Sequence, residues 1–178
     1  MTKFTHNFHT SILREYDIRG IIGETLSPVD AYAIGRGFAA LMKIEGDDTA
    51  TVGFDGRASS PELESELVRG LSDGGINVIQ VGMGPTPMLY YSTYALETRN
   101  GIMITGSHNP PSHNGFKMVL GGKPFFGQDI QKLGQICKSG DVSEGQGKVS
   151  EHLMLDAYVD RILKDYIYPS IYGCLGLR

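Results

Sequence analysis

Three short apolar runs, Thr49–Phe54, Ile76–Val81 and Gly101–Ile104, are separated by segments that carry helix-start signals, and this alternation is what most limits the fold. Ser60-Pro61-Glu62 opens one segment, with Leu63, Leu67 and Leu71 four apart on one helical face until Gly74-Gly75. Thr86-Pro87 opens the next, through Leu89, Tyr90, Thr93, Tyr94 and Leu96. Strand, helix, strand, helix, strand with at least ten helical residues between strands describes an α/β domain with right-handed crossovers and a sheet covered on both faces. An earlier helix is predicted from Ser27-Pro28-Val29-Asp30 through Ile34, Phe38 and Leu41 to Glu45-Gly46, with Ala33 and Gly37 allowing close approach of a neighbour. After Leu120, Gly121-Gly122 turns the chain into Pro124-Phe125-Phe126, so this end of the sheet is antiparallel. A helix through Ile130, Leu133 and Ile136, a Gly- and Ser-rich surface connection over 139–150, and an amphipathic helix through Leu155, Tyr158, Val159 and Ile162 complete the pattern. The expected fold is a three-layer α/β/α domain over residues 1–166 with a mixed, mostly parallel sheet; residues 167–178 are expected to be a divergent C-terminal tail.

Composition narrows the partners. A formal net charge of −4 argues against sequence-independent nucleic-acid binding, which relies on clustered Lys and Arg. Cys137 and Cys174 have no metal-type spacing, no apolar stretch reaches the roughly 20 residues needed to cross a bilayer, and the N-terminus lacks a signal-peptide core. A cytoplasmic protein with a small-molecule partner is expected, with no nucleic acid and no membrane. His6 and His9 stand three apart, a spacing open to a metal, but a loose terminus explains them more simply because no further ligand is near in sequence.

The chemistry gathers at Thr105-Gly106-Ser107-His108-Asn109-Pro110-Pro111, which follows the apolar run Gly101–Ile104. A buried strand breaking into Gly, Ser, Asn and two prolines presents one hydroxyl, Ser107, in a constrained loop beyond the carboxyl end of a strand, where α/β sheets collect their sites. Asn114-Gly115 reads as a turn into Phe116–Leu120, bringing Lys117 back towards the loop. Serine needs a base or a clamped phosphoryl partner. His108 is a doubtful base, since adjacent side chains on extended backbone point apart, and the loop lacks the second glycine of a hydrolase elbow. Phosphoryl transfer, which asks mainly for position and positive charge from groups such as Arg19, Lys117 and His108, fits better. A turn whose Ser, Asn and Pro merely suit the backbone also accounts for the composition. Asp55-Gly56-Arg57 is most simply a turn with a nearby charge pair, and Tyr90, Tyr91 and Tyr94 the core and rim of one helix.

Glu15-Tyr16-Asp17-Ile18-Arg19-Gly20, Gly53-Phe54-Asp55-Gly56-Arg57 with Ser59-Ser60-Pro61, Gly82-Met83-Gly84-Pro85-Thr86-Pro87, and above all Thr105–Pro110 with Asn114-Gly115-Phe116-Lys117 resemble, in order, the first domain of the α-D-phosphohexomutases, in their phosphomannomutase/phosphoglucomutase branch. Thr105-Gly106 leans towards the glucose and mannose enzymes rather than the glucosamine branch. The resemblance implies an isomerase, an intramolecular phosphotransferase of carbohydrate metabolism that exchanges hexose 1-phosphate and 6-phosphate through a phosphoserine and a 1,6-bisphosphate. It implies Ser107 as the phosphorylated residue and a ligand of Mg²⁺, Arg19 as the stabiliser of the phosphoserine, and Lys117 with His108 as aids to proton and charge transfer. Tyr16 and Asn109 would shape the pocket for a phosphorylated hexose, and glucose 1,6-bisphosphate would serve as activator.

The chain departs from that family in several respects. No Asp-Gly-Asp-x-Asp-Arg-like metal loop occurs, the later sugar-recognition segments are absent, and the stretch from Tyr166 to Arg178 matches nothing expected there, as a truncation or frameshift would leave it. The expectation is therefore a first domain inactive by itself. The alternative is a non-catalytic interaction domain or remnant of a disrupted gene, self-associating through the surface that missing domains leave.

Overall fold

The capped segments fold as helices because each pairs an apolar face with a defined start. The computed structural model describes residues 3–165, in the order β1 (Ile18–Ile21), α1 (Pro28–Glu45), β2 (Thr49–Phe54), α2 (Ser60–Asp73), β3 (Asn77–Met83), α3 (Thr86–Ala95), β4 (Gly101–Ile104), β5 (His113–Leu120), β6 (Lys123–Phe125), α4 (Gln128–Ser139), β7 (Val149–Glu151) and α5 (Leu155–Asp165). At the start of α1 the Asp30 carboxylate accepts from both the backbone N–H and the hydroxyl of Ser27, at 2.8 and 2.6 Å, and left-handed Gly46 closes the other end. The second helix has Ser59 at its N-cap position, one residue earlier than the pattern predicts and without a side-chain capping bond, which leaves Ser60 buried in its first turn.

Among the described residues seven strands form one mixed sheet in the order β1-β5-β4-β2-β3-β7, with β6 added beside β5. The pairings of β4 with β2, β2 with β3 and β3 with β7 are parallel, while β5 is antiparallel to β1, β4 and β6. From β2 the chain crosses through α2 to β3 on one side, then through α3 to β4 on the other. Successive crossovers of one hand in opposite directions put α2 and α3 on opposite faces. The core divides accordingly. A large cluster joins Ile34, Phe38 and Leu67 of α1 and α2 to Val52, Ile102, Phe116 and Leu133, whereas the other face holds a small one built on Val81, Met88, Leu89, Met103 and Met154. The expected α/β/α layering is present, with one thick layer and one thin.

Two expectations change. Asn114-Gly115 is not a turn but the start of β5, paired with Gly20 and Arg19 of β1. A Cβ at residue 115 would lie 2.2 Å from the Ile18 carbonyl, so glycine is there for close strand approach rather than for a bend. The 139–150 connection ends in β7, a three-residue exposed edge strand with too few apolar residues to be read from pattern. His6 and His9 go separate ways, His6 to Asp30 Oδ1 at 2.8 Å and His9 to Ser11 Oγ at 2.8 Å. Among the described residues no helix is long and apolar enough to cross a membrane. The expected tail at 167–178 and Cys174 lie outside the described residues.

Candidate functional site

The parallel strands β2 and β4 end side by side, and the loop between β4 and β5 sits over their carboxyl ends. Thr105 N–H still donates to Gly115 O across the ladder, at 2.9 Å, and then the chain breaks away. Ser107 has φ 52°, one of three non-glycine residues in the left-handed region among those described. A serine there is uncommon and persists only where its surroundings over-determine it. Its N–H donates to Thr105 Oγ1 at 2.9 Å, and the backbone and side-chain amides of Asn109 both donate to Gly106 O, at 3.0 and 3.1 Å. The turned backbone alters the expectation for His108. Because Ser107 is not extended, the adjacent imidazole reaches back, with Nδ1 3.2 Å from Ser107 Oγ, and both residues are exposed.

Arg57 is the residue sequence reasoning missed. Its guanidinium donates to four carbonyls of the loop and its exit: Pro110 at 2.7 Å, His113 at 3.0 Å, Ser107 at 3.0 Å and Asn109 at 2.7 Å. Asp55 Oδ2 lies 3.3 Å from Arg57 Nε and accepts from Gly106 N–H at 3.1 Å; Asp55 Oδ1 accepts from Ser60 Oγ at 2.7 Å and Arg57 N–H at 3.1 Å. Burial raises the Asp55 pKa, but hydrogen bonds from Ser60, Arg57, Thr105 and Gly106 outweigh it and hold the carboxyl below its ordinary 3.8. Asn114, fully buried, bridges Ser59 and Ser60 hydroxyls at 2.9 and 3.0 Å, so the start of α2 is tied to the loop's exit. What reads as a turn with a charge pair is the frame of the serine loop. The available signal was the spacing of Asp55, Arg57 and Ser60 after a strand that the topology places next to the serine strand.

A second cationic group adjoins the loop on β1 and β5. Arg19, 8% exposed, donates to Gly106 O at 3.4 Å and to Asp17 Oδ2, and its Nε is buried without a partner. Lys117 Nζ lies 3.9 Å from the same Asp17 oxygen and is partly exposed. Gly115, opposite Arg19 in the antiparallel pair, leaves room for this side chain.

Of the residues singled out from sequence, Ser107, His108 and Asn109 share the loop, and Arg19 reaches it through the Gly106 carbonyl. Lys117 joins them through Asp17. Tyr16 is 75% exposed, next to Asp17 in sequence. For Mg²⁺ the loop offers the exposed Ser107 Oγ, while both Asp55 oxygens are engaged by hydrogen bonds. Among the described residues no group of three His, Cys, Asp or Glu could hold a metal ion, so these residues do not make a Mg²⁺ site by themselves.

Residues 10–144 match the family description phosphoglucomutase/phosphomannomutase, alpha/beta/alpha domain I. A phosphomannomutase/phosphoglucomutase of Pseudomonas aeruginosa is 44% identical over 155 residues, covering 87% of this chain and 34% of the relative. A phosphoglucomutase of Neisseria gonorrhoeae is 49% identical over 154 residues, covering 85% and 34%. The crystal structure of a phosphoglucomutase/phosphomannomutase family protein from Burkholderia thailandensis superposes with a TM-score of 0.85 at 41% identity, over 89% of this chain and 36% of that one. The chain thus spans about a third of the length of the curated relatives it matches.

Proposed function

This chain belongs to the phosphoglucomutase/phosphomannomutase family, as its α/β/α domain I, and from that premise we propose that it carries the phosphoserine of a hexose phosphomutase acting between hexose 1-phosphate and hexose 6-phosphate. The observation that carries the reading is the exposed Ser107 hydroxyl at φ 52°, on a loop anchored from inside by Arg57 and flanked by Arg19. In transfer to a sugar, the bond between phosphorus and Ser107 Oγ breaks, a bond forms to the sugar oxygen, and that hydroxyl's proton ends on Oγ; His108 Nδ1, 3.2 Å away, is placed to relay it. Arg57 is committed to four carbonyls, whereas Arg19, with one buried nitrogen unpartnered, and partly exposed Lys117 are the cations this reading assigns to the phosphate. Asn109 supports the loop through Gly106, and Tyr16, exposed next to Asp17 in sequence, is the residue this reading assigns to the sugar. Mg²⁺ and glucose 1,6-bisphosphate enter this reading as additions to the assay, with Ser107 Oγ as the oxygen this chain would contribute to the ion. Two cysteines without metal-type spacing support a reduced, cytoplasmic setting.

The test is incubation of the full chain with glucose 1,6-bisphosphate and Mg²⁺, followed by peptide mass spectrometry. A phosphate on Ser107, absent in Ser107→Ala, is expected, without steady formation of glucose 6-phosphate. Phosphate only at other residues overturns the reading, and labelling of Ser107 by a fluorophosphonate would replace it with a hydrolase.

A second reading, an interaction domain that self-associates, is favoured by one observation: Leu155, Val159, Ile162 and Leu163 of α5 are 44–61% exposed, with Leu153 beside them at 65%.

A further inference from the structure

We propose that Arg57 is a positioning residue for the phosphoryl chemistry: by gathering the carbonyls of Ser107, Asn109, Pro110 and His113 it imposes the left-handed backbone at Ser107 and turns the loop's negative dipole ends away from the incoming phosphate. This rests on the phosphoserine reading and adds to it a residue that touches neither phosphate nor sugar. Four carbonyl oxygens converge on one planar group whose terminal nitrogens lie 2.7–3.0 Å from them. Such a convergence of like partial charges is sustained by a fixed cation, and the guanidinium supplies several donors in one plane where an ammonium supplies a point charge. Asp55 holds the guanidinium in turn, through Nε and the adjacent Gly106 N–H. A non-glycine residue at φ 52° needs this over-determination. With these carbonyls bound to the guanidinium, Ser107 and His108 are among the residues the loop exposes.

Gly106 provides an independent handle on the same contact. A Cβ there would lie 2.3 Å from Arg57 Cζ and Nε, and residue 106 is outside the left-handed region, so Gly106→Ala displaces the guanidinium without removing it. Arg57→Lys removes the fork and keeps the charge.

The experiment measures two quantities on the full chain, its Arg57→Lys and Gly106→Ala variants, each first checked for a cooperative thermal melt. One is the three-bond amide–Hα coupling with the Ser107 Cα and Cβ shifts, which report the sign of φ without any ligand. The other is the rate at which glucose 1,6-bisphosphate with Mg²⁺ loads phosphate onto Ser107. The expected result is loss of the left-handed signature in both variants and loading slower by about tenfold or more, the scale set by misplacing a reacting group. Retention of the positive φ in Arg57→Lys overturns the proposal, as does loading at the parent rate. If the parent itself takes no phosphate, the phosphoserine reading fails while the coupling still decides whether Arg57 sets the backbone.

Discussion

Asp55 stands at the end of β2 with both carboxylate oxygens occupied, one by Ser60 and the Arg57 amide, the other by Arg57 Nε and the Gly106 amide. Its pKa in the folded protein is below the ordinary 3.8, so its contribution to stability is present above 3.8 and is lost as pH falls through the depressed value. The Gly106 amide resonance should therefore hold steady from neutral pH down to about 4 and shift only below it. A midpoint at or above the ordinary carboxylate value would remove Asp55 as the loop's anchor. At this scale Ser107, His108 and Asn109 were legible because their residue types break a strand pattern abruptly. Arg57 was not, because its partners are backbone carbonyls some fifty positions away, which no side-chain pattern encodes.

Among the elements, α2 illustrates a tension between patterning and burial. Leu63, Leu67 and Leu71 face the core as their spacing predicts, but Glu64 is also buried, with Oε1 unpartnered. Burial raises its pKa, and the Glu151 charge from β7 adds to this, against a hydrogen bond with Gln80. A carboxyl raised above its ordinary 4.5 contributes stability that is complete below that value and lost as pH rises through the folded one. Glu64→Gln should stabilise the fold at pH 7 by about 1 kcal/mol, with the gain vanishing near pH 4, as read by denaturant melts at the two values. An equal effect at both would show packing rather than ionisation at work. The helices were legible by their caps and periodicity. The edge strand β7 was not, since what makes it a strand is the free side of β3 rather than anything in Val149-Ser150-Glu151.

The whole molecule is lopsided. Three helices, α1, α2 and α4, cover one face of the sheet, and close approach there is set by glycines: a Cβ at Gly35 would lie 2.5 Å from Leu67 O, and one at Gly37 2.6 Å from Cys137 Sγ. Cys137 is accordingly sealed in, its thiol pKa pushed up to about 12 by burial. On the other face α3 and α5 enclose only a small methionine-rich cluster, and α5 keeps much of its apolar side in solvent. If that side mediates self-association, sedimentation velocity should show a concentration-dependent dimer that Leu155→Glu with Ile162→Glu returns to monomer. A parent that stays monomeric throughout the micromolar range would exclude the interaction reading.

The amino-acid sequence by itself determined the layered α/β class, the helices, the antiparallel end of the sheet and the identity of the serine loop, because periodicity, capping and turn chemistry are local. Only the tertiary structure decided that the first strand lies against β5, that Asn114-Gly115 continues a strand, and that Arg57 and Asp55 reach the backbone of the serine loop. Those outcomes depend on which backbone groups parallel crossovers bring together, and a backbone carbonyl carries no side-chain signature before the chain has folded.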